Sequence, residues 1–148
     1  MRVNRYREFS YEEFGADFPA YIAKMNDMTE GKNLPPGYVP QTTYWFVDGG
    51  KFVGSVSIRH RLNEKLLQTG GHIGYDIRPS ERSKGYGTAI LKMALPKARE
   101  LGITNVLLTC NEANIGSRKI IEANGGILEN KVSNPEGGPD KLRFWIDL

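Results

Sequence analysis

The chain has 148 residues, 39% of them hydrophobic, with a formal charge of +3 and one cysteine; its isoelectric point is about 9.0. A chain of this size is expected to form a single domain over residues 1–148 that buries roughly 68–70% of its unfolded surface, since two domains would each be too small for a core. The lone Cys110 excludes an internal disulfide framework, no apolar run reaches about 18 residues, and no signal peptide opens the chain, so a soluble, cytoplasmic protein without a membrane partner is expected. The charge is mild and no dense Lys/Arg tract is present, so charge alone does not separate a polyanionic cofactor from nucleic acid.

At the N-terminus, Met1 to Arg7 can be placed only as a short strand. Phe9, Phe14, Phe18, Tyr21, Ile22 and Met25 then recur near helical spacing, and Ser10 with Glu13 reads as a capping box, so one amphipathic helix is expected. Gly31 to Gly37 is a turn-rich connector. Thr42 to Val47 and Phe52 to Arg59 are rich in β-branched and aromatic residues and flank Asp48-Gly49-Gly50, which predicts an antiparallel hairpin. A short helical or irregular crossing over Leu62 to Leu67 leads to a strand over Gly70 to Ile77.

That strand runs into Arg78-Pro79 and then Arg82-Ser83-Lys84-Gly85-Tyr86-Gly87, a basic, glycine-punctuated turn opening a helical pattern. The first turn of a helix leaves about four backbone N–H groups without internal partners and carries a positive end charge of roughly half a unit, so anions bind there. Gly85 and Gly87 allow positive φ and close approach of a diphosphate to the amides, and Arg82 and Lys84 add point charges. The competing reading of the loop is a solvated basic turn. A dinucleotide fingerprint fails because Ile90 stands where the third glycine belongs, and no stretch fits the phosphate loop of nucleotide hydrolases.

Ala89, Ile90, Met93, Ala94 and Leu101 fall on one face of the following helix, Pro96 should kink it, and Gly102 sits at its C′ position. A buried-type strand over Asn105 to Cys110, a helix from about Ile115 to Ala123 and two closing strands, Gly126 to Val132 and Leu142 to Leu148, complete the order. The simplest packing is α/β in the α+β sense: a mixed, mainly antiparallel sheet flanked by helices on both faces.

Two blocks of residues together carry a family resemblance. Arg82-x-x-Gly85-x-Gly87 resembles the acetyl-CoA signature of the GNAT superfamily of N-acetyltransferases, and Asn114 with Ser117, after the strand ending at Cys110, is similar to that family's second cofactor block. The wording from Gly70 to Tyr75 and from Arg78 to Arg82 is similar to a bacterial branch of predicted acetyltransferases. The resemblance covers roughly Thr43 to the C-terminus and implies a GNAT-like fold whose first strand and helix are shortened or missing here, replaced, or supplied by a partner chain in a homodimer.

If the resemblance holds, it implies direct transfer of an acetyl group from acetyl-CoA to a primary amine, whether small molecule or peptide. It assigns cofactor binding to the backbone around Asp76, Ile77 and Arg78, to the turn residues Arg82, Ser83, Lys84, Gly85, Tyr86, Gly87 and Thr88, and to Asn114 and Ser117. The oxyanion donor would be an amide near Ile77, and no metal is implied. The amine must be neutral to attack, and an alkylammonium titrates near about 10.4, so desolvation or a base must remove a proton. The departing thiolate, with a pKa of about 8.5, benefits from an acid.

Here the chain departs from the family's pattern. Ile121 stands where many members have a tyrosine, and Thr109 where many have a glutamate. Another tyrosine, Tyr75 or Tyr86, or solvent would then serve the sulfur. The candidate bases are His72, Glu112 and Asp76; the first two stand against the alternatives of a structural histidine bonded to Arg59-His60-Arg61 and an exposed loop carboxylate, and Asp76 shares the face of His72 by strand alternation unless a bulge intervenes. Arg59-His60-Arg61 with Glu64 reads as a solvated strand end, and Cys110 as a core thiol. Two further readings stand beside the enzyme: a CoA-binding module that has lost catalysis, and a small RNA-associated domain, which Tyr44, Trp45 and Phe46 satisfy poorly, so no nucleic-acid partner is expected.

Overall fold

The computed structural model of the protein describes residues 18–148. In chain order these form α1 (Phe18–Glu30), β1 (Gln41–Asp48), β2 (Lys51–Arg59), α2 (Glu64–Thr69), β3 (Ile73–Ile77), a 3-10 turn (Pro79–Glu81), α3 (Tyr86–Glu100), β4 (Asn105–Asn111), α4 (Ile115–Ala123), β5 (Ile127–Val132) and β6 (Lys141–Asp147). The expected Met1 to Arg7 strand and the Ser10 and Glu13 capping box lie outside the described residues.

Antiparallel strands flanked by helices are present as expected, but they form two three-stranded sheets, β1-β2-β3 and β4-β6-β5, in place of one. Alternation on the hairpin explains the layers. Tyr44 and Phe46 of β1, with Val56 and Ile58 of β2, face a core shared with Ile90, Leu91, Ala94 and Ala98 of α3. Trp45 faces the other way, where Phe18 and Tyr21 of α1 and Phe52 lie around it at ring distances of 6.0–6.3 Å. Val106, Leu108 and Cys110 of β4 and Leu142, Phe144 and Ile146 of β6 close the core from the second sheet. Phe144, Ile121 and Ile58 have no exposed surface.

Helix α1 ends at Glu30, where the Gly31 connector was expected to begin, whereas the short crossing helix lies at Glu64–Thr69, two residues later than expected, and β3 begins at Ile73, later than the expected Gly70. The reason for the late strand start is local: the N–H groups of Gly70 and Gly71 both donate to the Leu66 carbonyl, and Gly71 turns the chain at φ +69°. Helix α3 runs on through Pro96, an exposed residue near its C-terminal end, and Gly102 follows it at φ +85°.

The two sheets meet at this turn. The His72 amide donates to the Leu107 carbonyl at 2.7 Å, and the Leu107 amide donates to Nδ1 of the His72 ring at 2.9 Å. Both backbone groups of Leu107 are therefore held by one residue, with an imidazole nitrogen taking the place of the next backbone carbonyl. Side chains from both sheets fasten the end of α2 to the same place: Arg59 donates to the carbonyls of Gly70 and Gly71, Thr109 to that of Thr69, and Arg143 to that of Leu67. Among the described residues no further backbone hydrogen bond is recorded between β3 and β4, so the strands are joined at one end.

Gly71 leaves no room for substitution, because an added Cβ would lie 2.5 Å from the Leu107 carbonyl oxygen at a φ that side chains disfavour. Gly71→Ala is expected to lower unfolding free energy by roughly 2–4 kcal/mol in urea denaturation. A loss below about 0.5 kcal/mol would show that the joint tolerates separation.

Candidate functional site

The chain enters α3 by way of Ser83 at φ +60° and Gly85 at φ +84°. Gly85 is the N-cap, so the amides of residues 86–88 begin the helix without intrahelical acceptors. The two glycines do different work. Gly85 supplies the left-handed turn, with open space where a Cβ would sit, whereas Gly87 is buried and its missing Cβ makes way for Ile120 of α4. Asn124, the residue that caps the C-terminal end of α4, also donates to the Thr88 carbonyl at 3.2 Å. The second glycine therefore seats one helix start on its neighbour, and the positive φ expected at both glycines is found at Gly85 and not at Gly87.

Beneath the loop lies a residue the sequence reading missed. Glu81 is only 4% exposed and is ion-paired by Lys51 of the hairpin and by Lys84 of the loop itself, the latter at 3.2 Å. These lysines, Lys51 first, hold its carboxyl well below the usual range, at about 2. The signal was there to read, since Glu81 is the one acidic residue in the stretch from Arg78 to Lys84. Arg82 also folds inward: its Nε donates to the Ile77 carbonyl at 3.0 Å, and one terminal nitrogen lies 3.4 Å from Asp76. Asp76 is thus placed as a partner of Arg82. The Arg78 amide donates to Val53 of β2 at 2.8 Å, which removes it from the expected set of ligand-facing backbone groups, while its side chain is exposed.

At the start of α4, Asn114 caps the helix, its Oδ1 accepting from the Ser117 amide at 3.1 Å. Ser117 looks across to β3, where its hydroxyl shares a hydrogen bond of 2.7 Å with the Tyr75 hydroxyl. Burial pushes the Tyr75 phenol up to about 12. Cys110, on β4, is likewise buried and its thiol is pushed up by burial, as expected of a core thiol. Tyr86 points elsewhere: its hydroxyl donates to Asp48 at 2.8 Å and its ring lies against Phe46, pinning the start of α3 to the hairpin.

The three candidate bases do not converge. His72 is 7% exposed, and burial, with the charge of Arg59, pushes its pKa below the usual value. Since Nδ1 accepts from Leu107, the proton of the neutral ring sits on Nε2 and no lone pair is left for a substrate. This is a structural histidine, bonded through its ring to Leu107 and through its carbonyl to the Arg59 amide. Glu112 is exposed and accepts from Lys131 of β5 at 3.1 Å. Of the basic strand end, Arg59 is committed to the α2 turn and His60 to Thr42, at 2.8 Å.

Glu81 makes the loop's stability depend on acid. Its folded carboxyl titrates at about 2 against an ordinary 4.5, so its contribution is complete above pH 4.5 and is lost as pH falls toward 2. Glu81→Gln should flatten the stability profile between those values; a profile that keeps its slope would place the acid sensitivity elsewhere. Gly87→Ala is expected to cost about 1–3 kcal/mol in thermal unfolding through collision with Ile120.

The fold occurs in many solved structures. One is a mutant of the spermidine N-acetyltransferase SpeG from Vibrio cholerae, 18% identical with a TM-score of 0.59, the match covering 72% of this chain and 65% of that one. Another is RimL, a ribosomal L7/L12 alpha-N-protein acetyltransferase in complex with coenzyme A, at 19% identity and TM-score 0.61, covering 76% and 63%. A third is the aminoglycoside acetyltransferase AAC(6')-Ib in complex with coenzyme A, at 15% and 0.58, covering 72% and 66%. The chain spans just under two thirds of the length of these structures, and identities this low speak for the fold alone. No curated protein matches the chain. The model of the acetyltransferase (GNAT) domain matches residues 3–127, which extends the relationship well before the expected start at Thr43. The chain therefore belongs to the GNAT acetyltransferase domain family.

Proposed function

We propose that this chain is an N-acetyltransferase that moves the acetyl group of acetyl-CoA directly to a primary amine, as one domain over residues 1–148. The observation that carries the reading is the left-handed, basic entry into α3, set beyond the end of β3 that lies away from its joint with β4 at Gly71 and His72. A diphosphate fits the helix start, with the amides of residues 86–88 as donors and Arg82, Ser83 and Lys84 around them. Asn114 and Ser117 stand at the start of α4, the helix packed on the start of α3 through Ile120, and would take part in holding the cofactor. Bound there, acetyl-CoA supplies an activated thioester; the chain's part is to hold it and to exclude water from the amine.

The amine class is supported by the names of fold relatives that act on spermidine, on a protein N-terminus and on an aminoglycoside. With His72, Glu112 and Asp76 each committed to a partner, neutralisation of the amine is left to desolvation and bulk water. No described helix is long and apolar enough to cross a membrane, and the reading places the protein in the cytoplasm, where its free thiol stays reduced. The committed bases also favour a second reading, a CoA-binding module without catalysis.

A thermal-shift titration with acetyl-CoA, using NAD and ATP as controls, tests the site. At 100 times the dissociation constant, binding to the native state should stabilise it by about 2.7 kcal/mol. Gly85→Val, which forces a β-branched residue to φ +84° in open space, should fold and lose the shift. A folded wild-type chain without a shift would overturn the site. Binding without turnover of polyamines, aminoglycosides or peptide N-termini would favour the module.

A further inference from the structure

Among the described residues one backbone hydrogen bond joins the two sheets, from the His72 amide to the Leu107 carbonyl, and the answering bond is made by a ring: Nδ1 of His72 accepts from the buried Leu107 amide at 2.9 Å. A peptide carbonyl in that place would accept at any pH. An imidazole nitrogen accepts only while it is neutral, and imidazole is the side chain whose ordinary titration lies between about pH 5 and about pH 8. A proton on Nδ1 turns the acceptor into a donor facing another donor, and the Leu107 amide is left buried without a partner. Strand β3 begins at the next residue, Ile73, so this pair of bonds sets where the strand leaves β4.

We propose that the His72 ring is an acid-sensitive latch between the two sheets: neutral, it holds the Leu107 amide and keeps the start of β3 against β4; protonated, it releases that amide and the sheets loosen at their joint. The charges around the ring favour release. From β2, Arg59 is fixed at the turn by its bonds to the carbonyls of Gly70 and Gly71, so a protonated ring shares the turn with a tethered guanidinium. From β6, Arg143 donates to the Leu67 carbonyl, its own charge answered by Glu129. Strand β4 brings the Thr109 hydroxyl, bonded to Thr69, and its one titratable side chain, Cys110, lies in the core with Val106 and Leu108. Helix α2 carries Glu64 and Lys65 at its other end, both exposed, the lysine paired with Glu136. Folding favours the neutral ring: burial first, and Arg59 second, push its pKa below the ordinary 6.5. The latch is therefore closed above pH 6.5, and its contribution to the fold is lost as pH falls from 6.5 through the ring's own lower value. His60, the other histidine, gives its ring to Thr42 of β1. The latch belongs to the joint itself and stands apart from the acetyltransferase reading.

The test is a residue-resolved NMR titration of the full chain without ligand from about pH 7.5 to about pH 5, following the His72 ring and the hydrogen exchange of single amides, each corrected for the exchange rate of an unstructured chain at that pH. The expected result is that the ring titrates below 6.5 and that protection of the Leu107 amide falls at least about tenfold with the same midpoint, while amides in the β5–β6 ladder keep theirs. His72→Gln, whose side-chain carbonyl accepts without titrating, should hold the Leu107 amide at a protection that no longer changes over this range. Constant protection at Leu107 while the wild-type ring titrates would overturn the latch, and so would a ring that titrates at 6.5 or above. Equal loss of protection at Leu107 and throughout β5 and β6 would overturn it too, since the acid effect would then be global unfolding. Should the glutamine variant fail to fold, the wild-type comparison between Leu107 and the β5–β6 ladder decides by itself.

Discussion

Everything in this molecule depends on two sheets being joined at one end. Each sheet is a three-stranded antiparallel unit, and the pairing of β3 with β4 is confined to the turn at Gly71 and His72. A side-chain nitrogen stands in for a backbone acceptor there, so the Leu107 amide is satisfied while the chain of β3 is free to leave the ladder. Arg59, Thr109 and Arg143 reinforce the point by taking carbonyls at the end of α2. Helices α3 and α4 then cover the shared core, and β3 is linked to the start of α4 by the hydrogen bond between the Tyr75 and Ser117 hydroxyls.

A second constraint is electrostatic. The loop into α3 gathers Arg82 and Lys84 near a helix N-terminus, and such a cluster of positive charge repels itself when no anion is present. Glu81 and Asp76 supply the counter-charge from within: one is buried and paired to Lys51 and Lys84, the other is half-buried and paired to Arg82. These pairs offset the repulsion among the cations and tie the loop to the end of β3 and to the hairpin. The fastening of Lys51 to Glu81 and of Tyr86 to Asp48 makes the β1–β2 hairpin part of that arrangement.

Local pattern was a good guide to the elements because each is specified by short-range chemistry. The hairpin lies around Asp48-Gly49-Gly50, α3 opens at Gly85, and α4 is capped by Asn114, each as a turn or cap residue dictates. The strand expected from Gly70 failed at its start because Gly70 and Gly71 return their amides to Leu66, a choice made by the end of α2 and not by strand propensity. Gly87 was legible as a required glycine, but its reason, Ile120, is 33 residues away. The candidate bases were chosen for their chemistry alone, and the neighbours that engage them, Leu107, Lys131 and Arg82, are brought there only by packing.

What the sequence determined by itself was the family and the basic, glycine-opened start of α3, because a helix start, its glycine and its basic residues are contiguous and their physics is local. The tertiary structure alone decided that His72 is a structural acceptor, that Glu81 lies buried under the loop, and that Tyr75 and not Tyr86 faces α4. Each of those outcomes depends on which distant residue takes up a given polar atom, and that is settled only when the chain closes on itself and every buried donor and acceptor has to find its partner.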